Sequence, residues 1–125
     1  MKYLLGINDG RIEPIQDLEN ATRVVLVDKD TVGAEDMTFA YCRFEPETSY
    51  HKKHTHQDAE EVIYLLSGRG IGGVGDTEVE MKQGDTLFVP RGAVHWFSNP
   101  FPEPAEMLFV YSRPSLKSAG YQIVE

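Results

Sequence analysis

At 125 residues the chain is long enough for one packed core and leaves little room for a second. Its 20 acidic and 12 basic residues give a net charge of −8, which argues against a polyanionic partner, whether nucleic acid or an anionic membrane surface. The single cysteine, Cys42, excludes an intrachain disulfide, and no apolar run approaches the ~20 residues of a membrane span.

The apolar start, Met1 to Gly6, gives way to Asn8-Asp9 and is too short for the core of a secretion signal. With the lone thiol, this predicts a reduced, cytoplasmic protein. Residues 1–20 lack periodicity, and Pro14 among acidic neighbours predicts an extended N-terminal arm with one short strand at most. Residues 22–27 are rich in β-branched side chains and read as a strand, followed by a loop at 32–34. A second strand is predicted over 37–44, closed by Glu45-Pro46, with Cys42 as a buried, inert thiol. Strands follow at 50–56 and 61–66, then a turn at 67–70. Segments 70–74 and 77–81 flank Gly75-Asp76 as a hairpin. Further strands are predicted at 86–89, 94–98 and 105–111. The proline-rich run from Asn99 to Pro104 suits neither a helix nor a central strand. The polar tail from Ser115 carries Tyr121, Ile123 and Val124, which can dock on the barrel or on a partner.

No segment has helical periodicity, and turn signals recur every ~8–12 residues, the pattern of an all-β sandwich or barrel. The predicted organisation is a single domain over 1–125, with an arm at 1–20, a β-barrel core at 21–113 and a tail at 114–125. The glycines between Gly68 and Gly75 lack the Lys-Ser/Thr pair and helix of a phosphate loop and read as turn glycines.

Two spans concentrate ligand-type side chains. The first runs from His54-Thr55-His56 through Glu60-Glu61 to Gly68. The second runs from Gly84 through Pro90-Arg91-Gly92 to His95 and ends at Asn99. Residues 54 and 56 alternate by two, so both imidazoles leave one face of a strand and can reach one ion. Imidazoles with a carboxylate suit borderline divalent metals.

These two spans resemble the cupin family. The first motif of that family is a His-x-His pair, a Glu after a short gap and a Gly seven beyond it, which His54, His56, Glu61 and Gly68 match. Glu60 fits the gap, but only Glu61 keeps the distance to Gly68. The second motif is matched by Gly84, Pro90, Gly92, His95 and Asn99. One position departs: Thr48 stands where the family usually has the glycine that opens the first motif, so the turn at Pro46-Glu47 is built differently. The joint occurrence of both motifs in order is a specific signal.

The resemblance implies an all-β jelly-roll barrel, the double-stranded β-helix of the cupins. It implies one divalent transition metal (Mn, Fe, Ni, Co or Zn) on His54, His56, Glu61 and His95, with positions left for water or a chelating substrate. It further implies a homodimer, with the N-terminal arm and residues 121–124 as candidates to cover sheet edges across a two-fold. The activity expected is that of a metal-dependent enzyme on a small oxygen-rich molecule such as a sugar acid, keto acid or phenol, by isomerase, lyase or dioxygenase chemistry. The alternative is a non-catalytic module that binds a metal or small ligand.

Strand parity extends the candidate site. Ile63 and Leu65 share the parity of Glu61, and Ala93 and Phe97 that of His95, so these four are expected to line a substrate pocket. Lys52 shares the parity of His54 and is a weak candidate to bind a substrate carboxylate, with Arg43 as another. His51 falls on the opposite face and is a weak candidate for proton transfer at the pocket mouth. Tyr64 and Trp96 are expected on the outer face. For Met107, Phe109 and Tyr111 on one strand, and Tyr41 with Arg43 on another, the inward face stays open.

Overall fold

The computed structural model describes residues 3–15 and 18–125; the side chains of residues 19 and 48–51 lie outside the description. Among the described residues, a 3-10 turn at Ile7–Asp9 is followed by eleven strands: β1 (Arg11–Ile15), β2 (Leu18–Val27), β3 (Thr38–Phe44), β4 (Thr48–His56), β5 (Glu61–Ser67), β6 (Arg69–Val74), β7 (Thr77–Lys82), β8 (Thr86–Val89), β9 (His95–Asn99), β10 (Ala105–Tyr111) and β11 (Tyr121–Ile123). They form two antiparallel sheets, six-stranded in the order β1-β2-β3-β10-β5-β8 and five-stranded in the order β11-β4-β9-β6-β7. This is the all-β architecture that the turn spacing predicts, in the jelly-roll form that the resemblance implies. No described helix is long and apolar enough to cross a membrane.

Alternation decides which residues fill the space between the sheets. On β5, Glu61, Ile63 and Leu65 are buried while Val62, Tyr64 and Leu66 are exposed. On β10 the inward set is Ala105, Met107, Phe109 and Tyr111. On β3 it is Thr38, Ala40, Cys42 and Phe44, so Tyr41 and Arg43 face outward. Each fully buried aliphatic or aromatic side chain contributes about 1.5–3 kcal/mol, and Phe44, Leu65 and Val89 are among the most buried. Phe44 and Phe97 meet edge to face with ring centroids 4.9 Å apart, joining the two sheets.

The N-terminal segment does more than extend. β1 pairs with β2 at the edge of the larger sheet, and β2 begins at Leu18, ahead of the strand predicted from residue 22. Pro14 is tolerated in β1 because β1 is an edge strand, with a neighbour on one side only. At the other end, β11 pairs with β4 of its own chain: Tyr121 opposite His56 and Ile123 opposite His54. Both segments considered as cross-dimer covers thus lie on edges of their own sheets.

The connections explain several motif residues. Gly68 turns β5 into β6 with φ +80°, and a Cβ there would lie 2.2 Å from the carbonyl oxygen of Pro104. Asn99 is fully buried; its Nδ2 donates to the carbonyls of Phe44, Glu45 and Glu103, and its Oδ1 accepts from the Phe101 N–H. It ties the proline-rich run to the end of β3 and is a structural residue. At the position before Thr48, Glu47 takes φ 57°, the left-handed conformation uncommon outside glycine. The chain makes this turn without the glycine usual in the motif.

Candidate metal centre

The inner faces of β4, β5 and β9 converge at one end of the barrel. His54 and His56 come from β4, His95 from β9 directly opposite His54, and Glu61 from the first position of β5 in the other sheet. All four are buried. The three histidines place one ring nitrogen each within 4.8 Å of one another. The rings of His54 and His95 are closest, with centroids 4.0 Å apart. Tyr111 stacks on His56 at 5.2 Å, and Tyr121 of β11 lies beside His54 at 5.1 Å.

Backbone carbonyls set two of the tautomers. His54 Nδ1 lies 2.7 Å from the Lys52 carbonyl oxygen, and His95 Nδ1 lies 3.1 Å from that of Ala93. A carbonyl only accepts, so each Nδ1 carries the proton and donates it, leaving a lone pair on Nε2 of the neutral ring. Such second-nitrogen bonds are how metal-ligating histidines are oriented.

The carboxylate completes the cluster with an unsatisfied contact. Glu61 Oε1 lies 2.9 Å from His95 Nε2 and 3.3 Å from His56 Nε2. Despite these distances, Glu61 Oε1, His95 Nε2 and His56 Nδ1 are buried without a hydrogen-bond partner of good geometry. With the His95 ring neutral, its Nε2 lone pair faces a carboxylate lone pair across 2.9 Å, an arrangement that a cation between them relieves. The orphaned atoms and the nitrogen–oxygen donor set therefore fit a borderline divalent metal.

A cavity of about 50 Å³ adjoins these four residues. At roughly 10–15 Å³ of such volume per water, it holds an ion and a ligand of a few heavy atoms. Its remaining wall is mostly apolar, with Phe44, Met107 and Phe109 beside Ile63 and Phe97. Cys42 also lines it, and burial pushes its thiol up to about 12, which keeps it protonated and unreactive.

The other predicted site residues are distributed as follows. Ile63 and Phe97 line the cavity, whereas Leu65 and Ala93 do not. Leu65 faces inward like Glu61 but lies about 13 Å farther along β5 at ~3.3 Å per residue, which takes it into the core. Ala93 stands in the turn before β9, half-buried, and serves the site through its carbonyl. Lys52 is exposed: the β4–β9 register shifts between His51 and His54, which breaks the alternation that aligned Lys52 with His54. The side chain of His51 lies outside the described residues. Arg43 faces outward and pairs with Glu45 at 2.5 Å. Tyr64 is exposed as expected, but Trp96, expected on the outer face, is buried and lines the cavity, its indole donating to Glu78. Among the lining residues that parity did not single out are Arg23, Tyr111 and Tyr121. Arg23 sits within the β-branched run of β2, where only the pairing of β2 with β3 reveals which face is inward.

Comparison with known proteins agrees with this architecture. The model of the Cupin domain family (Cupin_2) matches residues 40–111, more than half of the chain. The uncharacterized protein MJ1618 of Methanocaldococcus jannaschii is 37% identical over 46 residues, which span 37% of this chain and only 37% of that one. Tetracenomycin polyketide synthase protein TcmJ of Streptomyces glaucescens is 28% identical over 109 residues, 84% of this chain and 72% of its own. Among solved structures, the polyketide cyclase RemF from Streptomyces resistomycificus superposes with a TM-score of 0.80 at 23% identity, over 100% of this chain and 87% of its own. At that identity RemF speaks to the fold alone. A family model that spans both histidine motifs, on a jelly roll that brings their side chains to one point, makes this protein a member of the cupin family.

Proposed function

We propose that the protein is a metal-dependent cupin enzyme in which His54, His56, His95 and Glu61 hold one divalent transition metal. Its substrate is a small molecule, or the end of a larger one, that carries neighbouring oxygen atoms. The observation that carries this reading is the lone-pair contact of His95 Nε2 with Glu61 Oε1 at 2.9 Å, which a shared cation resolves. When bound, the metal supplies Lewis acidity to coordinated oxygens. The chain's own residues do the rest. The Lys52 and Ala93 carbonyls hold the imidazoles of His54 and His95 in place. Ile63, Phe97, Met107 and Phe109 keep the cavity apolar, which strengthens every charge interaction inside it.

That wall favours a carbonyl compound over a sugar acid, because a polyol needs hydrogen-bonding partners around its whole length. The name of TcmJ, a polyketide synthase protein, supports a substrate with alternating carbonyls, whose 1,3-oxygens are a natural bidentate pair. A cavity of about 50 Å³ accommodates such a unit rather than a long chain, so a larger substrate would enter by one end. The same small volume favours one rival: a module that binds a metal and a small ligand without turnover.

Elemental analysis of protein purified without a chelating column tests the site. About one equivalent of a transition metal is expected, and its loss in the His54→Ala, His95→Ala double variant. Protein that takes up no metal even after incubation with each candidate ion overturns the reading. Turnover of β-dicarbonyl compounds by the loaded protein separates enzyme from binding module.

The reading includes a homodimer. Val62, Tyr64, Leu66 and Phe88 form an exposed apolar group on the outer face of neighbouring strands β5 and β8, and a second copy would cover it.

A further inference from the structure

β2 places a cation on the inner face of the larger sheet. Arg23 lies between the buried Ala21 and Val25 and opposite Cys42 of β3. Its side chain is only 13% exposed, and it lines the same cavity as the three histidines and Glu61. A buried guanidinium remains charged, so it must be matched.

The match is partial. Arg23 Nη2 pairs with Glu13 Oε1 at 2.7 Å. The other oxygen of Glu13 accepts from Arg11 Nε at 3.1 Å, and Arg11 Nη2 donates to Asp28 at 2.7 Å. This run of alternating charges, Asp28, Arg11, Glu13 and Arg23, crosses β1 and β2 and anchors one side of the guanidinium. Arg23 Nε is left buried without a hydrogen-bond partner among the described residues. A buried charged donor without an acceptor is costly, and a site that keeps one is built for an acceptor that arrives with the ligand.

We propose that Arg23 is a specificity-determining residue whose Nε–H receives an anionic oxygen of the substrate while other oxygens of the substrate face the histidines and Glu61. This rests on the metal-dependent reading above and narrows it: the substrate is an acidic carbonyl compound, such as a β-keto acid, rather than a neutral diketone. Charge supports the choice. A divalent ion beside the Glu61 carboxylate leaves one positive charge, and the Arg23–Glu13 pair adds none, so a monoanion neutralises the site. The basic candidates that the sequence offered for this role, Lys52 and Arg43, are respectively exposed and turned outward.

Acetoacetate and acetylacetone make the test, since the two have equal numbers of heavy atoms and the same spacing of chelating oxygens. They differ where the second carboxylate oxygen of acetoacetate is replaced by a methyl group. Calorimetric titration of metal-loaded protein is expected to show tighter binding of acetoacetate. Arg23→Gln should weaken acetoacetate by about 10–100-fold while leaving acetylacetone within about twofold, with metal content unchanged. Equal loss for both ligands, no loss for either, or wild-type protein that binds neither overturns the assignment. Should Arg23→Gln fail to fold, Arg23→Lys keeps the charge opposite Glu13 and removes Nε–H; the same selective loss is expected, and unchanged acetoacetate affinity overturns it. Protein that holds no metal yet prefers acetoacetate through Arg23 overturns the metal reading alone. Metal-loaded protein without the preference overturns the Arg23 assignment alone.

Discussion

His54 and His95 are set by one device, a bond from Nδ1 to the carbonyl two residues earlier in the chain. The bond is local, so each ring arrives oriented with its strand and needs no distant partner. Asp28 does comparable work far from the site. It is buried, accepts from Arg11 and from the Asp30 and Thr31 N–H groups, and caps the turn after β2. Burial pushes its carboxyl up, but the Arg11 bond and the Thr31 bonds outweigh it and hold it below the ordinary value of 3.8. A depressed folded value means stability that is present above 3.8 and is lost as pH falls from there through the folded value. Asp28→Asn is therefore expected to cost about 1–3 kcal/mol at neutral pH. It should also lose less stability than the parent on acidification to about pH 3. Urea denaturation at both pH values checks this, and parallel losses in the two proteins would contradict it.

Strands place what the residues prepare. β4 carries two of the three histidines of the cluster, and its shifted register against β9 sets His54 opposite His95 while Lys52 lies at the surface. β11 closes the outer edge of β4 and brings Tyr121 beside His54. β6 supplies room for the cavity wall: a Cβ at Gly70 would lie 2.1 Å from the Phe97 ring. The ring holds its place against Phe44 only because residue 70 has no side chain. Gly70→Ala is expected to destabilise by about 1–3 kcal/mol through overpacking. Combined with Phe97→Leu, the total should fall short of the sum of the single effects, because both changes act on one contact. Guanidinium denaturation of the four proteins measures the coupling; strict additivity would show that the ring is free to move aside.

Two sheets of a jelly roll leave two kinds of surface. The inner faces make the core and the centre, and the outer face of the larger sheet keeps Val62, Tyr64, Leu66 and Phe88 in the open. Phe88 lies opposite Val62, so one charge placed there meets the middle of the patch. On the homodimer reading, light scattering is expected to give the mass of two chains for the parent protein and of one chain for Phe88→Glu, with the fold retained. A monomeric parent would contradict it. The net charge of −8 opposes association through any other face that lacks an apolar surface.

Much of this molecule is legible in one dimension because period-two alternation and turn residues are local. The strands at 86–89 and 105–111 match β8 and β10 end to end, and the hairpin around Gly75-Asp76 is β6 and β7. The histidine motifs are local too: two residues apart on one strand means one face. Legibility stops where a statement depends on pairing. The inward faces of β3 and β10, the register shift that exposes Lys52, and the seating of β11 on β4 all follow from which strand lies beside which. So does the entry of Arg23 into the cavity, since nothing in its neighbours along the chain distinguishes inside from outside. Sequence alone determined most of the elements, through short-range sterics, and its motifs, by their resemblance to a family, singled out the candidate ligand residues. The tertiary structure decided which of those residues share a cavity, because burial is a property of opposed surfaces and not of any one strand.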